Sequence, residues 1–246
     1  AHEKYSTVIR NIDGNFEIIN SNQESELVEM AEIELDELKK EKEVIQREKS
    51  ELVDSINYAK RIQTALLPSS SIIKERIGEN FILYIPKDIV SGDFYWVAQV
   101  GPKGRPNDKL FIAVVDCTGH GVPGAFMSMI GLNLLDVIVR SGLTQPNLIL
   151  NELHKQVRYL LKQENNDSRD GMDMALCSFD PARGVLEYAG ANCPLYLVRN
   201  NEVLLFAPDK NAIGSFDLDG KSFTDHRIKL QRGDMVYIFS DGYADQ

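Results

Sequence analysis

The sequence has few cysteines, and none of them are spaced for metal binding. Cys117, Cys177 and Cys193 are an odd number at wide spacings, without a CxxC pair. A thiolate zinc site is therefore disfavoured. We expect three reduced thiols that pack as small apolar side chains in a cytoplasmic protein.

Positive charge is also scarce. The chain has 27 basic and 37 acidic residues, for a net charge of -10. An acidic surface repels phosphate backbones, which argues against nucleic acid as the main partner. No apolar run of 18 residues and no signal peptide is seen, so we expect no membrane span here. The abrupt start suggests that the chain is a piece of a longer protein. That longer protein could carry a membrane anchor upstream.

Residues 22–67 contain neither glycine nor proline and are rich in Glu, Lys and Leu, which predicts one long helix. A heptad repeat predicts a parallel coiled-coil homodimer through residues 28–66. The alternative is a single amphipathic helix lying on the next domain. The two seams are Ala31, Leu38, Ile45, Leu52, Ala59 and Leu66, and Val28, Leu35, Lys42, Lys49, Ile56 and Gln63.

Three segments are predicted. Residues 1–21 are a domain remnant or a hairpin turning at Asp13-Gly14, residues 22–67 are the helix, and residues 72–246 are a globular domain after a break at Pro68 and Ser69–Ser71. Strands followed by a helical pair and more strands indicate an α+β fold with antiparallel sheets. The predicted strands are Phe81–Ile85, Phe94–Val100, Leu110–Asp116, Met174–Asp180, Leu186–Ala189, Leu195–Arg199 and Met235–Ser240, and the helices are Pro123–Ser141 and Pro146–Glu164.

Four aspartates lie at the edges of apolar strands, each near a glycine: Asp93, Asp116, Asp173 and Asp241. Carboxylates gathered at one sheet end repel each other unless cations neutralise them. Magnesium and manganese prefer such oxygen ligands. The ordinary alternative is that each aspartate is a turn residue, and spacing alone does not show that the four converge.

The order of these motifs resembles the SpoIIE/RsbU-type branch of the protein phosphatase 2C superfamily. The likeness covers about residues 56–246, including the helix that leads into such domains. Its motifs are Ser91-Gly92-Asp93-Phe94-Tyr95, residues 116–125 (DCTGHGVPGA), Met172-Asp173-Met174-Ala175, Ala189-Gly190-Ala191-Asn192-Cys193-Pro194, Gly233-Asp234 and Ser240-Asp241-Gly242.

The resemblance implies a sandwich of two antiparallel sheets flanked by helices, with two Mn²⁺ or Mg²⁺ ions at one end and room for a third. Asp93, Asp116 and Asp241 would be the catalytic metal ligands. The carbonyl of Cys117 and the carboxylate of Asp173 would add further ligands. Gly92, Gly119, His120 and Gly121 would lie near the substrate or behind the ligands.

The implied reaction is hydrolysis of phosphoserine or phosphothreonine in a protein, as a bacterial signalling output on a STAS-type anti-sigma-factor antagonist. The N-terminal helix would regulate it. Cys117 lacks the CxxxxxR pattern of a cysteine phosphatase, so a packed residue is expected there. A general-base role for His120 stays open, whereas His154 is expected to be structural.

Two departures from the family pattern favour an alternative, a catalytically inactive binding module dimerised by the coiled coil. Ala191 replaces the usual histidine of the fourth motif. The family's last strand, with a further aspartate, is expected beyond Gln246, which indicates C-terminal truncation. A metal-dependent nuclease is disfavoured because the chain has no basic track.

Overall fold

The computed structural model describes residues 7–10, 16–19, 21–77, 79–101, 108–215 and 222–243. Its contacts divide the chain into two units, Ala1–Ser55 and Ile56–Gln246. In the first unit, β1 (Thr7–Arg10) pairs antiparallel with β2 (Phe16–Ile19). The predicted Asp13-Gly14 turn lies outside the described residues.

Helix α1 runs without interruption from Ser21 to Leu66 and belongs to both units. The absence of glycine and proline allows this length, and an i,i+4 ion pair joins Lys40 to Asp36 at 2.7 Å. The long helix is as predicted, whereas its pairing with a second copy stays a prediction.

A second helix follows almost at once. Helix α2 spans Ser70–Ile77. The break between the helices therefore consists of Leu67, Pro68 and Ser69, and the predicted break residues Ser70 and Ser71 are already helical. The reason is local, because the carbonyl of Ser69 already accepts a helical hydrogen bond from the amide of Ile73.

The second unit is α+β, with two antiparallel sheets as predicted. One has the order β3-β4-β5-β6-β9 and the other β10-β7-β8. Strands β8 and β9 were not predicted from the sequence. The strands are β3 (Phe94–Val100), β4 (Lys109–Cys117), β5 (Met172–Asp180), β6 (Val185–Ala191), β7 (Leu195–Arg199), β8 (Glu202–Phe206), β9 (His226–Lys229) and β10 (Met235–Ile238).

Two helices cover the five-stranded sheet: α3 (Gly121–Arg140) and α4 (Pro146–Leu160). Their apolar faces share one core with β3, β4 and β5. A second core lies between the sheets, where Leu186 and Tyr188 of β6 meet Leu195 and Leu197 of β7. Helix α3 is long and apolar enough to cross a membrane, but 56% of that stretch is buried in the domain.

The strand predicted at Phe81–Ile85 is wrong. These residues pair with none of the described strands, and Phe81, Leu83 and Ile85 are largely exposed. The ring of Phe81 lies 6.2 Å from that of Tyr237 on β10. An extended apolar pattern therefore gives no strand here, because no neighbouring backbone supplies the ladder hydrogen bonds.

The strand register sets up the candidate site. Asp116 of β4 is paired with Asp173 of β5, and Phe94 of β3 is paired with Val115 of β4. Asp93, which directly precedes β3, is thereby placed at the same sheet end as Asp116 and Asp173.

Candidate metal centre

Glycines let the two loops that carry Asp93 and Asp116 touch each other. A Cβ atom on Gly92 would lie 2.6 Å from the carbonyl oxygen of Gly119. A Cβ atom on Gly124 would collide with the same carbonyl and lie 2.9 Å from the Cα atom of Gly92. Only side-chain-free residues allow this approach, so these glycines hold the two loops in contact.

The structure brings three of the predicted aspartates into direct contact. The carboxyl group of Asp116 lies within hydrogen-bonding reach of those of Asp241 and Asp93. Ser240 donates a hydrogen bond from Oγ to Oδ2 of Asp93 at 2.8 Å, across 147 residues of sequence. Asp241 itself begins a single turn of 3-10 helix after β10. The three side chains converge, while their role as metal ligands stays a prediction.

Asp173 stands beside this group. Its Oδ1 atom accepts a hydrogen bond of 2.8 Å from the side-chain amide of Asn192. Burial raises the pKa of Asp173, the bond from Asn192 lowers it, and the charge of Asp241 raises it. The pKa of Asp173, on the strand next to Asp116, therefore depends on the charge of the cluster.

The crowding of aspartates opposes the ionisation of Asp116. Burial, followed by hydrogen bonding and repulsion from Asp241 and Asp93, raises the pKa of Asp116 to about 8. Each neighbour that shifts it is another carboxyl group. A proton on Asp116 can relieve this repulsion, and so can a divalent cation bound between the side chains.

The donor set fits hard divalent cations, since it consists of carboxylate oxygens and a nearby backbone carbonyl. A Cβ atom on Gly92 would lie 3.3 Å from the carbonyl oxygen of Cys117, which places that carbonyl at the same loop contact. Among the described residues, no three His, Cys, Asp or Glu side chains already form a finished cage for an ion. The donor types therefore fit such a cation, while the arrangement of the ligands around it stays a prediction.

Cys117 is buried at the end of β4. Burial raises the pKa of its thiol well above the usual range, and the charges of Asp116 and Asp93 raise it further. The thiolate needed for a nucleophile is therefore strongly disfavoured. This residue contributes packing and its carbonyl group.

His120 lies at the exposed rim of the site, just before α3. Its Nδ1 atom is 2.8 Å from Oδ2 of Asp88, and both side chains are well exposed. Gly121 follows with a φ of +62°, a conformation that favours glycine and turns the chain into the helix. The contact ties the loop before Asp93 to the loop after Asp116.

Comparisons with known proteins identify the family of this chain and support its fold. The family model described as "Stage II sporulation protein E (SpoIIE)" matches residues 106–246. The chain is also similar to the SiaA-PP2C domain of Pseudomonas aeruginosa, with 34% identity, a TM-score of 0.69, and coverage of 80% of this chain and 75% of that one.

The chain belongs to the SpoIIE family.

More distant members of the SpoIIE and RsbU group share the fold. The PP2C domain of SpoIIE from Bacillus subtilis is 20% identical with a TM-score of 0.51, and the matched part covers 62% of this chain and 42% of that one. The RsbU and RsbW domains of a Mycobacterium tuberculosis protein are 24% identical with a TM-score of 0.50. The matched part covers 63% of this chain and 40% of that one. The chain thus spans about two fifths of these two structures. Among curated proteins, none matches it in sequence.

Sequence reasoning missed several residues of this SpoIIE-type site. Asp88 is not marked by its spacing, because its contact with His120 comes from loops that meet only in the fold. Ser240 was part of a motif but had no assigned role, and its bond to Asp93 also appears only in the fold. Asn192 stands inside a recognised motif, so the motif itself was the available signal. Gln63 was assigned to the heptad seam, but its side chain is buried in the phosphatase-like unit.

Gln63 fixes the end of α1 to the site loops. Its Nε2 atom donates hydrogen bonds to the carbonyl of Ser91 at 2.6 Å and to Oγ of Ser128 at 2.8 Å. Its Oε1 atom accepts a bond of 3.0 Å from the amide of Ser91. One buried side chain therefore joins α1, the loop that precedes Asp93, and α3.

We predict that Asp116→Asn stabilises the metal-free protein at alkaline pH. The folded-state pKa of about 8 lies above the ordinary 3.8, so the native state binds a proton that the unfolded state releases. Wild-type stability therefore falls as pH rises from about 4 to about 8. Asparagine mimics the protonated acid and removes this loss.

Differential scanning fluorimetry in EDTA from pH 5 to pH 8 measures the effect. The melting temperature of Asp116→Asn should exceed that of wild type by a margin that grows with pH. Asp54→Asn, an exposed position on α1, should follow wild type. A constant margin across this range would contradict the charge crowding described above.

Proposed function

We propose that this domain is a metal-dependent phosphatase for phosphoserine and phosphothreonine in proteins, and that it serves as a signalling output. The observation that carries the proposal is the convergence of the Asp93 and Asp241 carboxyl groups on that of Asp116. Membership of the SpoIIE family supports the reaction class. The 34% identity to the PP2C domain of SiaA supports it further.

Asp93, Asp116 and Asp241 would hold two Mn²⁺ or Mg²⁺ ions, with the carbonyl of Cys117 as a further ligand and Asp173 towards a third. When bound, such ions supply Lewis-acid activation of water and charge neutralisation at the phosphoryl group. The sheet fixes the backbone of Asp116 and Asp173, and the packed glycines fix the loop of Asp93. Ser240 orients the Asp93 carboxylate through its hydrogen bond.

The proposed mechanism needs no covalent nucleophile, and Cys117 is poorly suited to be one, since burial and the adjacent aspartates raise the pKa of its thiol. His120 is oriented by Asp88 at the rim and leaves its Nε2 atom out of that contact. A substrate-facing role for His120 is consistent with its exposure.

The alternative is an inactive binding module with a phosphatase fold. Ala191 occupies the position where relatives commonly have histidine, and it is fully buried. A buried methyl group offers no proton or ligand atom, so any function of that imidazole is absent. This observation bears on activity and leaves the aspartate cluster unaffected.

An activity assay separates the two candidates. Wild-type protein with Mn²⁺ should hydrolyse p-nitrophenyl phosphate and a phosphoserine peptide, and EDTA should abolish both reactions. Asp116→Asn should lower the rate by about 100-fold, because the proposed metal ions lose one of their carboxylate ligands. Asp54→Asn is the matched control and should keep full activity. A folded wild type without metal-dependent turnover would favour the binding module.

For the physiological substrate we propose a serine-phosphorylated STAS-type anti-sigma-factor antagonist, on the strength of the family resemblance. A similar structure from Mycobacterium tuberculosis contains an RsbU domain together with an RsbW domain. Preference for a phosphorylated STAS protein over an unstructured phosphopeptide, measured as kcat/KM, tests this assignment.

We also propose that α1 regulates the site through Gln63. The buried amide satisfies both backbone groups of Ser91, two residues before Asp93. Leaving such buried groups unsatisfied costs on the order of 1–3 kcal/mol each. A rotation or shift of α1 that withdraws Gln63 would therefore move the loop that carries a proposed ligand.

We predict that Gln63→Leu changes the Mn²⁺ concentration for half-maximal activity by about tenfold, because the loop of Asp93 loses its anchor. Coupling requires a change in either direction, since the anchor can hold the loop towards or away from its productive position. Gln46→Leu, an exposed glutamine on the same helix, is the control. Identical Mn²⁺ titrations for wild type and Gln63→Leu would refute the coupling.

We propose in addition that α1 forms a parallel homodimer through residues 28–66. Its apolar side chains are exposed in the single chain, which leaves surface for a partner helix to bury. Two seam positions near the end of the helix differ, because Ile56 is half-buried and Gln63 is buried in its own domain. The exposed residues include Val28, Leu35, Leu38, Ile45 and Leu52.

We predict that Leu38→Glu with Ile45→Glu converts a dimer to a monomer in sedimentation equilibrium, because charges in an apolar seam are buried unpaired. Lys40→Glu with Arg47→Glu adds glutamates on the opposite face of the helix and should leave the dimer intact. A monomeric wild type at micromolar concentration would disprove the coiled coil.

A further inference from the structure

Asn192 has an unusual backbone for a residue with a side chain. Its φ is +57°, in the left-handed region that few residues other than glycine and asparagine occupy. It follows β6 directly, and its amide donates a hydrogen bond of 2.9 Å to the carbonyl of Asp209. A parallel bridge also joins it to Met174 on β5.

The turn around Asn192 is held from several sides. The hydroxyl of Tyr188 donates a hydrogen bond of 2.6 Å to the carbonyl of Cys193. A Cβ atom on Gly190 would overlap that hydroxyl, so glycine is required there. The carboxylate of Asp209 in turn accepts bonds from the amide and hydroxyl of Thr224. These contacts fix the position from which the Asn192 side chain extends.

That side chain ends on the aspartate cluster. Its Nδ2 atom lies 2.8 Å from Oδ1 of Asp173, which is half-buried opposite Asp116 in the sheet. The bond uses Oδ1 and leaves Oδ2 out of this contact. A neutral amide also favours the ionised form of Asp173, against the effect of burial and of Asp241.

We propose that Asn192 is a positioning residue that orients the Asp173 carboxylate for cation binding. The inference rests on the proposed function, because it presupposes that the cluster binds divalent ions. Partners behind a metal ligand fix its orientation, and their loss typically weakens metal affinity 10- to 100-fold. The contacts of the turn at residues 188–193 hold this amide in place.

The test measures Mn²⁺ binding to the metal-free full chain by isothermal titration calorimetry. Asn192→Gly suits the left-handed backbone and removes the whole side chain, including the amide. It should weaken the binding step that depends on Asp173 by about tenfold. Asn201→Gly removes an asparagine with a φ of +64° from the β7–β8 turn and should bind like wild type.

A double-mutant cycle shows whether Asn192 acts through Asp173. In the Asp173→Asn background, Asn192→Gly should change the affinity by less than about twofold. Equal weakening in both backgrounds, an isotherm like that of wild type for Asn192→Gly, or no effect of Asp173→Asn would each overturn the inference and leave the proposed function standing. A wild type that binds no Mn²⁺ would overturn both.

Discussion

The repulsion among aspartates at one end of the five-stranded sheet governs the rest of this structure. The carboxyl group of Asp116 lies beside those of Asp93 and Asp241, and its pKa rises to about 8 because burial and these neighbours oppose its ionisation. Such a cluster destabilises the metal-free fold at neutral and alkaline pH. The charge crowding is therefore a cost to stability that cation binding would offset.

The architecture around the cluster serves to hold these charges together. Glycine contacts bring the loop of Asp93 against the carbonyls that follow Asp116, and the strand register sets Asp173 beside them. Gln63 then links this arrangement to α1 through the backbone of Ser91. A signal carried by the helix would reach the site through one buried amide, without a long chain of intermediates.

Much of the fold could be predicted from the sequence, since alternating apolar residues and the glycine-free helix are strong local signals. The aspartates were recognised by their place at strand ends and by their motifs. That they meet follows only from the fold, through the register of β3, β4 and β5 and the turn after β10 that carries Asp241. The failures have a common cause. The strand expected at Phe81–Ile85 lacks a described partner, and Gln63 follows the heptad spacing while packing elsewhere. Both outcomes depend on distant neighbours, which local patterns do not encode.

The most direct test is anomalous diffraction from crystals grown with Mn²⁺. The account predicts two manganese peaks about 3.5–4 Å apart between the carboxylates of Asp93, Asp116 and Asp241. Peaks found only at scattered surface carboxylates, with no manganese between the carboxyl groups of these three residues, would contradict the account.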